Sequence, residues 1–171
     1  MITKLIEKKD FEYFFKNFKK DFPFAERRNK KDSKNIFKNP HYCAEFIIEN
    51  NLNIGYICYW NFDDFIFIEH FAILEEFRNN GKGSFFLQYF KSSKCKNIIF
   101  EIEPPTRGIK KRRYEFYKRN GFYMLNIDYF QPSYHKNGKP FKLSLMTNNN
   151  NLTTNTIETY VKIIKKEVYN Q

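Results

Sequence analysis

The spacing of hydrophobic positions changes along the chain, and each change predicts a different element. In KKDFEYFFKNFKK, residues 8–20, Phe11, Phe14, Phe15 and Phe18 recur at helical spacing and predict a helix with one buried aromatic face. Residues 21–41 are polar and broken by Pro23 and Pro40, with a short helix from Asp32 to Lys38 as the only element expected. They read as a mobile or substrate-side connection. From residue 42 the period shortens. Runs near 42–49, 53–61 and 65–74 predict three strands, and the turn-like breaks NNLN and NFDD make them an antiparallel meander. A glycine turn follows, FRNNGKGSFFL, residues 77–87, and Phe85, Phe86 and Phe90 predict a helix from near Lys82. KNIIFEIE reads as a buried strand. A basic helix near 107–119 and strands near 122–130 and 140–147 come next. The asparagine run 148–151 reads as a linker, and Ile157, Val161, Ile164 and Val168 predict a last helix.

This order predicts an α+β fold, a single domain over residues 1–147 with residues 148–171 as an Asn-rich linker and C-terminal helix. The central sheet is mixed but mostly antiparallel, has six or seven strands, and is flanked by helices. One strand–helix–strand crossover surrounds the glycine turn. The C-terminal helix either covers the sheet or meets a second copy of the chain in a homodimer.

Composition narrows the function. The 171 residues are 42% hydrophobic and 20% aromatic, enough for a packed core. No apolar run reaches the ~18 residues of a membrane span, and MITKLIEKKDFEYFF lacks the apolar core of a secretory signal. Cys43, Cys58 and Cys95 are scattered, odd in number and without a C-x-x-C pair, as for idle thiols in the cytoplasm. A formal charge of +11 admits nucleic acid, an anionic surface or a phosphate-rich ligand. The basic and aromatic residues are spread along the whole chain without a nucleic-acid motif, which argues against a nucleic-acid-binding module.

The glycine turn is the strongest chemical signal. A strand that ends in such a turn and launches a helix aims several N–H groups in one direction, and the helix dipole adds partial positive charge. Gly81 and Gly83 admit a bulky anion, and Arg78 and Lys82 flank it with mobile positive charge. A plain helix-entry turn is the competing reading. The P-loop pattern fails, because the position five before Gly81 is Glu76. The dinucleotide fingerprint fails, because the third position after Gly83 is Phe86.

EHFAILEEFRNNGKGSFFL resembles the cofactor-binding motif of the GNAT superfamily of N-acetyltransferases, a strand followed by Arg or Gln, two residues, Gly, one residue, and Gly or Ala. Arg78, Gly81 and Gly83 match it. About 30 residues later RRYEFYKRNGFY is similar to the second signature, carried by Phe116, Tyr117, Gly121 and Phe122, and Gly55 stands where the family often has a glycine. EIEPP and YFQPSYH resemble an uncharacterised bacterial subgroup. The resemblance covers about residues 42–130 and implies a GNAT-like domain that moves an acetyl group from acetyl-CoA to a primary amine, small or protein-borne, by direct attack in a ternary complex. It implies a pyrophosphate on the turn at Arg78, Asn79, Gly81, Lys82, Gly83 and Ser84, and a pantetheine arm along Phe71, Ala72 and Ile73. It further implies Tyr117 as the acid that protonates the leaving thiolate. The alternatives are an acyl-CoA-binding fold without transfer and the nucleic-acid module.

For the base, Glu69 and Glu103 rank first, ahead of His70, and Glu101 shares a strand face with Glu103. Neighbouring strand residues point to opposite faces, so Glu69 and His70 share a face only if a bulge intervenes. Each has a plainer reading as a salt-bridged strand residue. His41 and His135 read as surface residues, and Tyr134 as a surface tyrosine or an aromatic contact for the acceptor in a wall formed by residues 131–140. Most of the seven cations of RGIKKRRYEFYKR read as a solvated face. Lys110 and Arg113 replace the Asn and Ala that the family often carries there, which puts a contact to the cofactor's amide arm in doubt.

Overall fold

In the computed structural model, which describes residues 1–170, eight strands form one sheet. They are β1 (Ile2–Leu5), β2 (Tyr42–Glu49), β3 (Leu52–Asn61), β4 (Phe65–Ile73), β5 (Asn97–Ile102), β6 (Tyr123–Met124), β7 (Tyr129–Gln131) and β8 (Phe141–Thr147). The helices are α1 (Phe11–Asp21), α2 (Lys30–Asn35), α3 (Lys82–Lys94), α4 (Gly108–Arg119) and α5 (Thr154–Tyr169). The strand order is β1-β2-β3-β4-β5-β8-β6, with β7 also on β8. Every pairing is antiparallel except β4 with β5, where the crossover through α3 imposes a parallel pair.

The meander, α1, α3 and α5 follow the hydrophobic pattern, and α2 and α4 lie near the expected short and basic helices. The strand count exceeds the expected six or seven for two local reasons. β1 is mostly exposed and carries no buried alternation, so only its pairing with β2 defines it. The run 122–130 splits into β6 and β7, which contact β8 separately. The short helix begins at Lys30 rather than Asp32, because the Asn29 side chain accepts from the Asp32 amide at 2.9 Å and caps it.

Three aromatic-rich cores cover the two sheet faces. One face carries α3 and α4 over Ile57, Tyr59, Ile66, Ile68, Ile98, Phe100 and Met146. The other carries two cores. Phe11, Phe14, Phe15 and Phe18 of α1 cover Tyr56, Cys58 and Ala72. Ile164, Val168 and Tyr160 of α5 cover Trp60, Phe65, Phe67, Ile99 and Leu145. Burying each such Phe contributes about 1.5–3 kcal/mol. The asparagine run is tied to β5: the Asn148 side chain accepts from the Ile98 amide at 2.7 Å and donates to the Lys96 carbonyl at 3.1 Å.

Gly55 of β3 pairs with Ile73 of β4, and a Cβ there would lie 2.4 Å from the Ala72 carbonyl oxygen. Gly55→Ala is therefore expected to destabilise the fold by about 1–3 kcal/mol, read as a lowered urea midpoint with an unchanged m-value.

Candidate active site at the fork of β4 and β5

The parallel pair β4–β5 stops early. Its last rung sets Ile68 opposite Phe100, yet β4 runs on to Ile73 and β5 to Ile102, so the sheet opens into a fork. On the β3 side the Leu74 amide donates to the Ile54 carbonyl at 2.9 Å. By strand alternation the main-chain groups of Phe71 and Ile73 point the other way, into the fork.

A bulge lies at the mouth of the fork. Cys58 pairs with His70 and Tyr59 with Ile68, leaving Glu69 without an opposite residue. The strand changes parity there. Ile66 and Ile68 face α3 before the bulge, and Phe71 and Ile73 do so after it. Glu69 and His70 consequently share the opposite face, as their neighbours Phe67 and Ala72 show.

The glycine turn closes one side. Asn79 and Gly81 are left-handed, with φ of 66° and 69°, and a Cβ on Gly81 would meet nothing within 4 Å. Among the described residues the amides of residues 79–84 make no backbone hydrogen bond, so they stand open at the N-terminus of α3. Gly83 lies against Ile73 and the Phe116 ring, which brings the turn, the end of β4 and α4 into one neighbourhood. Asn120, buried at the end of α4, donates to the Ser84 hydroxyl at 3.1 Å and accepts from Lys91 at 2.5 Å, stapling α4 to α3.

The expected mobile cations are not mobile. Arg78 donates to Asp21 at 2.6 Å and to the Ile73 carbonyl at 2.7 Å, and its own amide is used by Glu75. Lys82 pairs with Glu49. Arg78 thus braces α1 against β4.

Tyr117 reaches the fork from α4. Its ring packs 4.5 Å from Phe100, the last paired residue of β5, and among the described residues its hydroxyl has no hydrogen-bond partner. Burial raises its pKa to about 12 against the opposing pull of Arg113, so it is a phenol at neutral pH.

Glu69 is 1% exposed and fully engaged. It pairs with Arg28 and accepts from Trp60 at 3.0 Å and Tyr134 at 2.7 Å. Burial would raise its pKa, but Arg28 and these donors outweigh that, and the carboxyl stays below its ordinary value. A carboxylate held this firmly is a weak proton acceptor. His70 donates from Nε2 to the Glu26 carbonyl at 2.9 Å, and burial lowers its pKa and keeps it neutral. Glu103 lies 33% exposed beyond β5 and pairs with Lys110 at 3.0 Å and Arg113 at 3.3 Å. The two residues that depart from the family pattern therefore hold this carboxylate against α4. His135 is not a free surface residue: it stacks 4.0 Å from Phe24 and bonds its carbonyl at 2.8 Å, while His41 is exposed.

The resemblance rests on these elements, and a family model decides it. The model of the acetyltransferase (GNAT) family matches residues 7–122. The chain belongs to the GNAT family of acetyltransferases. It is similar to a protein from Bacteroides thetaiotaomicron assigned to the same family, at 27% identity and a TM-score of 0.94 over 100% of this chain and 99% of that one. An aminoglycoside 6'-N-acetyltransferase complexed with coenzyme A shares the fold at 14% identity and a TM-score of 0.59, over 86% and 96% of the two chains. So does the ribosomal-protein-S18-alanine N-acetyltransferase of Escherichia coli, at 13% and 0.59, over 89% and 98%. A comparison with curated proteins gives no match.

Four residues of this GNAT site carry no signal in the sequence pattern. Arg28 lies in an aperiodic polar stretch, Trp60 reads as one more strand aromatic, and Tyr129 and Tyr169 look like core tyrosines. The last two hold Glu101: Tyr169 donates to Oε2 at 2.8 Å and Tyr129 to Oε1. Burial raises the Glu101 pKa to about 7; the two tyrosines oppose the rise and the charge of Glu69 adds to it. A carboxyl with a higher pKa folded than unfolded binds its proton more tightly when folded. Its contribution is therefore greatest below the unfolded value of 4.5 and is lost as pH rises through about 7. Urea denaturation between pH 5 and 8 is expected to lose up to about 3 kcal/mol from this group, and Glu101→Gln to remove that slope.

Proposed function

We propose that this acetyltransferase takes the acetyl group of acetyl-CoA and passes it to a primary amine by direct attack in a ternary complex at the fork. The observation that carries this reading is the convergence, at one opening in the sheet, of the fork-facing main chain of Phe71 and the Ile73 amide, the open amides of the glycine turn and a phenol, Tyr117, without a hydrogen-bond partner among the described residues. The amides of Asn79, Gly81, Lys82, Gly83 and Ser84 suit a pyrophosphate. The fork-facing main chain of Phe71 and Ile73, with Ala72 between them, suits the amide-bearing pantetheine arm, which pairs as a strand would. The CoA-bound relative supports the same ligand class.

Three chemical demands follow. The amine must shed a proton, the thioester oxygen needs a donor as charge develops, and the thiolate needs a proton as it leaves. Tyr117, neutral and unpartnered, supplies the last. Proteins of the same fold are named for aminoglycosides, spermidine and an alanine of ribosomal protein S18, so the acceptor panel contains an aminoglycoside, a polyamine, free amino acids and an alanine-terminated peptide. The cytoplasm, where acetyl-CoA is available, is the compartment this reading assigns.

Acetyl-CoA at about 100 times its Kd is expected to add ~2.7 kcal/mol of stability, seen as a raised Tm; a flat melt at millimolar ligand removes the reading. Free-thiol release over the panel identifies the acceptor class. Binding without release from any member selects a non-transferring acyl-CoA binder. Tyr117→Phe is expected to lower kcat about 100-fold with the acetyl-CoA Kd unchanged, measured by steady-state kinetics and titration.

A further inference from the structure

Glu69 and Glu101 are the first residues past the last paired rung of the fork, one on each strand. Both point to the face that α5 covers, because Phe67 and Ile99, two residues earlier on each strand, belong to that core. A chain of hydroxyls links them. Tyr134 donates to Glu69 Oε1 at 2.7 Å and lies 3.4 Å from the Tyr169 hydroxyl, which donates to Glu101 Oε2 at 2.8 Å. Gln131 steadies the middle by donating to the Tyr169 oxygen at 2.8 Å, and Tyr129 holds the other oxygen of Glu101.

The surroundings sort the two carboxylates. Glu69 has the Arg28 guanidinium and the Trp60 indole and is a fixed anion. Among the described residues Glu101 has no salt-bridge partner. The titratable groups that face it are Tyr129 from β7, Tyr169 from α5, Tyr134 from the segment after β7, and Glu69 across the fork. Two cations stand against its neighbours: Arg28 pairs with Glu69, and Lys165 lies 5.9 Å from the Tyr129 ring centre. Burial brings its pKa to about 7. Two carboxylates whose environments diverge in this way divide the work between a permanent charge and a group that takes and gives a proton.

We propose that Glu101 receives the proton released by the acceptor amine, through Tyr134 and Tyr169, and that α5 thereby completes the transfer site. This rests on the transferase reading above. The acceptor ammonium gives its proton to the Tyr134 oxygen, the Tyr134 proton turns from Glu69 to the Tyr169 oxygen, and the Tyr169 proton passes to Glu101 Oε2. Glu101 goes from anion to neutral acid, and the amine keeps the lone pair. That pair forms the C–N bond. As the C–S bond breaks, its electrons go to sulfur, which takes the Tyr117 proton. Tyr117 recovers a proton from the newly acylated nitrogen. One proton then leaves Glu101 for solvent, which balances ammonium plus thioester against amide, thiol and a proton. Tyr129 and Gln131 are positioning residues.

Infrared titration of the ligand-free full chain reads the carboxyl directly. The wild type is expected to lose a protonated-carboxyl band with a midpoint near 7 that Glu101→Gln lacks, with circular dichroism confirming that the variant is folded. Tyr129→Phe, outside the relay, keeps the ring and removes the donor to Oε1 of the anion, so the midpoint rises by about one pH unit. The acid limb of kcat/KM for the panel amine rises by the same amount, and the acetyl-CoA Kd stays unchanged. A Glu101 midpoint near 4.5, or a shifted midpoint with an unshifted acid limb, overturns the proposal. Acetyl-CoA binding without transfer to any amine also overturns it. Failure to bind acetyl-CoA overturns the transferase reading and the proposal together, and the binding titration tells these two results apart.

Discussion

The parting of β4 from β5 after Ile68 and Phe100 is the constraint on which the rest of the site depends. A parallel pair that ran to its full length would satisfy the main chain of Phe71 and Ile73 with protein partners and leave nothing for a ligand. The bulge at Glu69 accompanies the opening and inverts the side-chain parity of β4. Phe71 and Ile73 then pack toward α3, while Glu69 and His70 both face the opposite layer. One extra residue in one strand thus gives the fork an apolar side, where Tyr117 enters, and a polar side, where the carboxylates lie.

Charge is used locally rather than as a field. The chain carries a formal +11, yet the cations nearest the site are committed. Arg78 holds Asp21 and a carbonyl, Lys82 holds Glu49, Arg28 holds Glu69, and Lys110 and Arg113 hold Glu103. The glycine turn offers open amides at a helix terminus, groups that need no side-chain ordering to meet a ligand. The buried pair Arg28–Glu69 is justified by what it fixes, since such pairs seldom add net stability over apolar packing. It anchors the segment before α2 to the bulge, and Arg28 reaches the Val168 carbonyl of α5 at 2.7 Å. Segments far apart in sequence are in this way set against one another at the fork.

Much of the chain was legible from residue order. The phenylalanine stripe of α1, the alternation of the meander, the turn before α3 and the four apolar positions of α5 each follow from local periodicity, and local periodicity is a property of the sequence. The spacing of Arg78, Gly81, Gly83, Phe116, Tyr117 and Gly121 pointed to the family, because a tight turn against a helix restricts residue type wherever it occurs. β1 escaped, since an exposed edge strand leaves no buried alternation to read.

The division of labour among the carboxylates came only from the fold. Glu69, Glu101 and Glu103 are alike as letters on two strands. Which of them is a fixed anion and which clamps a helix depends on Arg28 and Arg113, at separations of 41 and 10 residues, and which holds a proton near neutrality depends on its burial. The sequence by itself determined the elements and the turn, because those depend on neighbours along the chain. Tertiary structure decided where the parallel pair ends, which face each side chain takes after the bulge, and how Glu69 and Glu101 titrate, because burial and charge act through space.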